Sequence, residues 1–309
     1  MHSAPLRIGT RGSALALTQT GHVADAITAA TGRATDLITI TTHGDRSREP
    51  LSRAGGTGLF TGALRDALEA GDVDVIVHSF KDLPTAPHPA FSVAAVPARE
   101  DARDALCARD GLTLDTLPPG ARVGTGSPRR AAQLRAKRPD VEVVDIRGNV
   151  GTRLAFVTDG DLDAVILAAA GLSRLGETDV VTEYLDLDAW PTAPAQGALA
   201  IEVRRGEEHL VRTLDHAPTR AAAEAERGVL ARLEAGCSAP VGAHALIEDE
   251  LLFLSARVYS HDGTTVLTAS HAAAWPDRDA PAELAVRAAD ELLAAGAAAL
   301  TTATTTPEA

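Results

Sequence analysis

Three short patterns occur twice in this 309-residue chain, in the same order, and that repetition limits the folds open to it. Arg7-Ile8-Gly9-Thr10…Ser13 is echoed by Arg122-Val123-Gly124-Thr125-Gly126-Ser127. Leu37 to Asp45 (LITITTHGD) is echoed by Val141 to Asn149 (VEVVDIRGN). Gly71 to Val77 (GDVDVIV) is echoed by Gly160 to Ile166 (GDLDAVI). Each set reads as a strand, a Gly-Thr turn, a serine and a helix, then a second strand, then a turn into a buried strand. Chance similarity of βα units is the competing reading. The ordered repeat predicts two related α/β domains, each with a parallel-rich sheet.

Helices fill the gaps between these strands. Apolar spacing predicts a helix from Ser13 to Thr31 with the serine as N-cap. A second runs from Leu59 to Ala70 and closes at Gly71. Ser127-Pro128 opens a third, with serine capping and proline at the first helical position. Each Gly-Thr-x-Ser loop then offers backbone N–H groups and the positive end of a helix dipole. Doubly wound sheets bind ligands beyond the carboxyl ends of their strands, where both loops fall. The expected site is therefore a cleft between the two domains. The C-terminal part differs. Thr219 to Ala235 reads as an alanine-rich helix. Leu251 to Ser260 and Thr264 to Ser270 read as strands joined at the hairpin signal Asp262-Gly263. Ala280 to Leu300 reads as an amphipathic helix. A small α+β third domain is predicted, with little to order the tail from Thr301.

Charge says what the cleft holds. The formal net charge is −13, yet arginines crowd the loops: Arg7 and Arg11, Arg129 and Arg130, Arg147 and Arg153. The only lysines are Lys81 and Lys137. A guanidinium fork grips a carboxylate or phosphate with two bonds, which an ammonium cannot do. The acidic balance argues against nonspecific nucleic-acid binding, which works by neutralising phosphates. Screening confines exposed charges to about 8–10 Å, so a local arginine cluster outweighs distant carboxylates. A small polyanion is the expected ligand. With 45% hydrophobic residues but 3% aromatics, the core must be built of Ala, Val, Leu and Ile. No apolar stretch nears the ~20 residues of a membrane span, and the start shows no signal-peptide pattern. Two cysteines make no disulfide framework, so a cytoplasmic protein is expected. The scattered histidines lack metal-ligand spacing, and no metal is expected. Gly55-Gly56-Thr57-Gly58 lacks the P-loop lysine and reads as a flexible loop.

Two segments stand out for chemistry. His78-Ser79-Phe80-Lys81-Asp82-Leu83-Pro84 follows the predicted buried strand Val73 to Val77. Ser, Lys and Asp at a strand end suit proton transfer and anion binding; a solvated Lys/Asp turn is the bland reading. Cys237 lies in Glu234-Ala235-Gly236-Cys237-Ser238-Ala239-Pro240, a loop where a thiolate nucleophile would be accessible. A small apolar filler is the competing reading there, and Cys107 reads as a core residue.

These segments together resemble the hydroxymethylbilane synthase (porphobilinogen deaminase) family. The matching stretches are RIGTRGSALAL from Arg7, HSFKDLPT from His78, REDARDAL from Arg99 and VGTGSPRRAAQL from Val123. They continue with RGNVGTRL from Arg147, AVILAAAGLSRLG from Ala164, APAQGALAIE from Ala193 and LEAGCSAPVGA from Leu233. The likeness fades after about Ala243. The resemblance implies two periplasmic-binding-protein-like α/β domains with mixed parallel-rich sheets, plus a small C-terminal α+β domain. The implied boundaries are 1–97 with 198–215, 98–197, and 216–309. It implies a dipyrromethane cofactor, one per chain, held by Cys237 through a thioether and built from the enzyme's own substrate. Four porphobilinogens are added head to tail, each losing ammonia, and water releases the linear tetrapyrrole. The implied catalytic carboxylate is Asp82. The implied cofactor contacts are Lys81, Ser79, Ser127, Thr125, Arg129, Arg130 and Gly148. The implied substrate contacts are Arg11, Ser13, Arg147, Arg153 and Gln196. The family implies a monomer that takes a small-molecule substrate, with no nucleic-acid or membrane partner.

Three positions depart from the commoner family pattern. Thr57 stands where many members carry lysine, with Arg53 nearby; Gly126 replaces a frequent serine; Ala195 replaces the first glycine of a Gly-Gln-Gly run. The loop from Arg46 to Gly58 reads as a flap over the site. A noncatalytic solute-binding protein for a small dicarboxylate is the alternative, since a two-domain cleft suits it equally. It leaves the Asp82 and Cys237 motifs unexplained. A cysteine-nucleophile hydrolase would lack a recognisable base.

Overall fold

The computed structural model describes residues 4–42, 61–235 and 239–301. Strand β1 (Leu6–Thr10) buries Leu6 and Ile8 and turns into helix α1 (Ala14–Thr31). The cap is the expected one: Ser13 Oγ accepts from Ala16 N at 3.3 Å. Next come β2 (Thr35–Thr39), α2 (Gly62–Ala70) and β3 (Val75–Ser79). A 3-10 turn, Phe80–Asp82, leads towards β4 (Phe91–Ala95).

The chain then lays down β5 (Asp104–Ala108), β6 (Arg122–Gly124) and α3 (Pro128–Lys137). Ser127 caps α3 ahead of Pro128, as expected. β7 (Glu142–Val144), α4 (Val150–Thr158), β8 (Ala164–Ala168), α5 (Ala169–Leu175) and β9 (Glu183–Tyr184) complete this part. After β10 (Leu199–Arg204) come α6 (Ala217–Arg232) and three long strands. These are β11 (Val241–Glu248), β12 (Leu251–Tyr259) and β13 (Val266–Ala274). The last described elements are α7 (Ala280–Ala294) and α8 (Ala297–Thr301).

The repeat in the sequence is a repeat in topology. One five-stranded sheet has the order β2-β1-β3-β10-β4 and the other β7-β6-β8-β5-β9. In the first, β1 pairs parallel with β2 and β3, while β10 runs antiparallel to β3 and β4. In the second, β6 pairs parallel with β7 and β8, while β5 runs antiparallel to β8 and β9. The echoed segments are thus the three strands of each sheet that pair parallel with one another. The antiparallel strand has no echo, because each lobe receives it across a linker: β5 directly after the first lobe, β10 directly after the second. β10 lies between β3 and β4 with five of its six residues buried, so it is a central strand of the first sheet.

The third lobe packs α6 and α7 against the antiparallel sheet β11-β12-β13. Strand β11 was not foreseen. Its inward positions Val241, Ala243 and Ala245 alternate correctly, but alanine and glycine carry little strand propensity. The expected single C-terminal helix breaks in two at Gly296, whose φ is 99°. The core is mainly Ala, Val, Leu and Ile, as composition required. Trp190 is the large exception, fully buried because its indole N–H reaches Asp104 Oδ2 at 2.9 Å. Among the described residues no helix is long and apolar enough to cross a membrane.

Candidate active site

A cleft of about 1160 Å³ opens between the two α/β lobes, at the carboxyl ends of their parallel strands. The β1–α1 turn brings Arg11 and Ser13 to it. Behind the end of β3, Phe80 and Leu83 plug into a small apolar cluster, and between them Lys81 and Asp82 are left facing the cleft. The second lobe contributes Arg130 from the first turn of α3, Arg147 and Gly148 from the loop before α4, and Arg153 from α4. Among the described residues six cationic side chains line the cleft, the sixth being Arg174 on α5, against the carboxylates Asp82 and Glu177.

These cations sit close enough to perturb each other. Burial draws the Lys81 ammonium down to about 8; Asp82 works against that shift and Arg130 adds to it. Lys81 Nζ stands 3.4 Å from Gln196 Oε1. Burial, with Arg130 and Arg147 nearby, also draws Arg153 below its ordinary value. Arg153 Nε donates to the carbonyl of Gly148 at 2.9 Å, which fixes its fork beside the loop. Ser79 Oγ donates to Gln19 Oε1 at 3.2 Å. Asp82 is solvent-exposed.

Asp104 anchors the cleft floor from below. It is fully buried, 2.7 Å from Arg130 Nη2 and 2.9 Å from Arg129 Nη2. Gln196 Nε2 donates to it at 2.8 Å. Burial opposes its charge, but the two guanidiniums win and hold its carboxyl well below the usual carboxylate range. Arg129 is turned wholly into this layer, its Nη1 donating to Gln133 Oε1 at 2.7 Å. Arg130 spans both layers, and its buried Nε has no hydrogen-bond partner.

The expected site residues therefore sort by depth. Arg11, Ser13, Ser79, Lys81, Asp82, Arg130, Arg147, Gly148 and Arg153 meet at the cleft wall. Arg129 and Gln196 lie one layer beneath it. Thr125 Oγ accepts from Ser127 N at 3.2 Å and Ser127 Oγ accepts from Arg130 N at 3.5 Å, so these hydroxyls shape the α3 start. Cys237, Thr57, Arg53 and the Arg46 to Gly58 loop lie outside the described residues. Cys107 is buried in β5, and burial pushes its thiol up to about 12, in line with a core role.

Sequence reading missed Asp104, Gln19 and Arg174. Arg174 Nη2 donates to the Gly197 carbonyl at 2.7 Å, beside the linker back to the first lobe. Its signal was an arginine shortly after a buried strand, the same placement that marked the others. Two departures from the family pattern acquire a physical setting. A Cβ on Gly126 would stand 2.5 Å from the Ile146 carbonyl oxygen, so this loop packs too closely for a serine. Ala195 takes the left-handed backbone, φ 63°, that glycine adopts more readily.

A dipyrromethane made from two porphobilinogens carries two acetates and two propionates. The cleft suits it: its lining cations outnumber its carboxylates, and the Arg130 Nε is buried with no bond made. Among the described residues no cluster of His, Cys, Asp and Glu could hold a metal ion.

Family comparison agrees with this geometry. Residues 6–212 match the model described as porphobilinogen deaminase, dipyromethane cofactor binding domain. Residues 221–294 match the porphobilinogen deaminase C-terminal domain. The porphobilinogen deaminase of Leifsonia xyli subsp. xyli is 61% identical over 307 residues, covering 95% of this chain and 93% of that protein. The porphobilinogen deaminase of Mycobacterium tuberculosis is 56% identical over 277 residues, covering 86% and 89%. Among solved structures, the methionine binding protein MetQ covers 68% of this chain and 89% of its own, at 10% identity and a TM-score of 0.43. The solute-binding alternative gains no support from the family matches. The chain belongs to the porphobilinogen deaminase family, transferases that carry a dipyrromethane cofactor and condense porphobilinogen into hydroxymethylbilane in tetrapyrrole biosynthesis.

Proposed function

We propose that Asp82 is the catalytic carboxylate of this condensation and that Cys237 holds the dipyrromethane through a thioether. The observation that carries the reading is the position of Asp82: an exposed carboxylate on the 3-10 turn, in a cleft whose other charged lining residues, Glu177 apart, are all cations. When bound, the dipyrromethane supplies the primer onto which the pyrrole chain grows.

The residues divide the work. Arg11, Arg130, Arg147 and Arg153, with Lys81, grip the acetates and propionates of the growing chain, and Ser13 and Ser79 add hydroxyl donors. Each charge-assisted hydrogen bond contributes roughly 1.5–3 kcal/mol, so several hold a polyanion firmly. Arg129 and Gln196 act from the layer beneath: Gln196 touches Lys81 and Arg130, while Arg129 shares Asp104 with Arg130. Ser127 and Thr125 set the α3 start that aims Arg130. Asp82 accepts hydrogen bonds from pyrrole N–H groups and offsets the positive charge that develops on porphobilinogen as ammonia leaves. Its Oδ atoms also take and return the proton displaced as each carbon–carbon bond forms.

The proposed domains are 1–97 with 198–215, 98–197 and 216–309, the third carrying Cys237. Following the family, the enzyme acts as a cytoplasmic monomer. The test is the intact mass of the denatured protein with peptide mapping. Two deaminated pyrrole units on Cys237 are expected. An adduct on another residue, or none after incubation with porphobilinogen, would overturn the attachment.

A further inference from the structure

One helix of the third lobe reaches both the Asp82 turn and the linkers between the other two lobes. Glu226 on α6 accepts from the backbone N–H groups of Ala195 and Ala245, at 2.5 and 2.7 Å. The next residue, Arg227, faces the turn. Its Nη1 donates to the carbonyls of Phe80 and Leu83 at 2.9 and 2.8 Å, and its Nη2 to Pro84 at 2.7 Å. Its guanidinium carbon also lies 4.4 Å from the centroid of the Phe80 ring. Arg227 is 9% exposed, so these bonds form away from water and count for more.

The turn needs this support. A 3-10 turn of three residues satisfies few of its own carbonyls, and buried carbonyls without partners are costly. Within the turn, the Phe80 carbonyl accepts only a long bond, 3.3 Å, from Leu83 N. Lys81 and Asp82 sit between the carbonyls that Arg227 grips. Five residues beyond the end of α6 at Arg232, the sequence carries Cys237. The same helix therefore grips the Asp82 turn and precedes, in sequence, the cysteine proposed to hold the cofactor.

We propose that Arg227 is a positioning residue for Asp82: its three-carbonyl grip holds the 80–84 turn at a fixed height in the cleft. The proposal rests on the reading of Asp82 as the catalytic carboxylate. Its weight follows from how steeply catalysis depends on alignment, since a shift of about 1 Å can cost about 100-fold in rate.

The experiment is a double-mutant cycle on the holoenzyme with Arg227→Gln, Asp82→Asn and the double variant. Cofactor loading is read by intact mass, folding by thermal unfolding, and turnover by kcat and KM for porphobilinogen. Arg227→Gln should keep its dipyrromethane and lose about 10- to 100-fold in kcat, with KM within about 2-fold. The double variant should fall within about 3-fold of Asp82→Asn alone, because nothing is left to position. Losses that multiply, or a KM effect larger than the kcat effect, would overturn the positioning role. Near-normal turnover of Arg227→Gln would overturn it too, leaving the role of Asp82 intact. Near-normal turnover of Asp82→Asn would instead sink the underlying reading. If Arg227→Gln does not fold, Arg227→Lys serves under the same criteria, since it keeps the charge but cannot fork three carbonyls.

Discussion

Arg99 grips Glu226 through a two-bond fork, 2.6 Å at Nη1 and 3.0 Å at Nη2, and joins the linker after β4 to the third lobe. Glu226 is fully buried, and Arg99 Nε also donates to the Gln196 carbonyl at 2.6 Å. All three lobes thus meet around this pair. Removing one partner of a buried pair leaves an uncompensated charge and typically costs about 3–5 kcal/mol. Arg99→Ala should lower unfolding stability by that order, read by urea titration. Unchanged stability would show that the backbone N–H groups of Ala195 and Ala245 suffice to hold Glu226.

Asp82→Asn keeps the shape of the side chain but removes its charge and its proton acceptor. It is exposed, so the protein should fold normally. Turnover should drop by about 10²–10⁴-fold, the usual span of general acid–base catalysis. Steady-state assay of porphobilinogen consumption measures it, and near-normal turnover would refute the assigned role.

Lys81 leads to a prediction on the alkaline side. Burial lowers it from an ordinary 10.5 to about 8, so its charge fades as pH rises through about 8. Capture of the anionic pyrrole chain by apoprotein should weaken across that point. Lys81→Gln should capture more slowly at neutral pH and lose this limb of the profile. The readout is the rate of adduct formation on either side of about pH 8. An identical limb in the variant would assign the titration to another group.

Glu202 leads to one on the acid side. It is buried in β10 beside Arg65, at 2.7 Å, and His78, at 3.3 Å. Burial opposes its charge, but His78 and Arg65 outweigh that and bring it from 4.5 to about 2. Its folded value lies below its unfolded value, so its stabilisation is complete above about 4.5 and is lost as pH falls towards about 2. The shift corresponds to about 3 kcal/mol. Unfolding free energy in Glu202→Gln should fall less over this acid window than in the parent. Parallel profiles would place the acid sensitivity elsewhere.

Gly126→Ser tests the closeness of the α3 loop. A Cβ there would stand 2.5 Å from the Ile146 carbonyl oxygen, a backbone atom that cannot swing aside. The substitution should cost about 1–3 kcal/mol, the usual range for overpacking. A neutral effect on thermal unfolding would mean that the loop shifts freely.

Much of the fold was legible from residues alone, because local rules write themselves into local sequence. The serine caps at Ser13 and Ser127, Pro128 at a helix start, Gly71 at a helix end and the echoed strands all follow from short-range sterics and hydrogen bonding. The cleft arginines were legible too, since strand-end placement in a repeated βα unit puts Arg11, Arg130, Arg147 and Arg153 at one edge. Strand β11 was hidden because two of its three inward residues, Ala243 and Ala245, are alanine, which carries little strand propensity, and Val241 alone makes no alternating pattern.

What only the tertiary structure decided is which charges pair. Arg129 and Arg130 are neighbours in sequence and identical in type, yet Arg130 reaches the cleft and Arg129 does not. That split depends on Asp104, 25 and 26 residues away in the chain, whose carboxylate is desolvated and so must be met by both guanidiniums. Arg227 is likewise silent in sequence, because its partners are the backbone carbonyls of a turn that lies far back in the chain. The sequence by itself determined the elements, their repeat and the polyanion-binding chemistry of the loops, all properties of neighbours along the chain. The depth of each charged group and its partner came from the folded protein, because the cost of burying a charge is set by whatever distant atoms the fold brings against it.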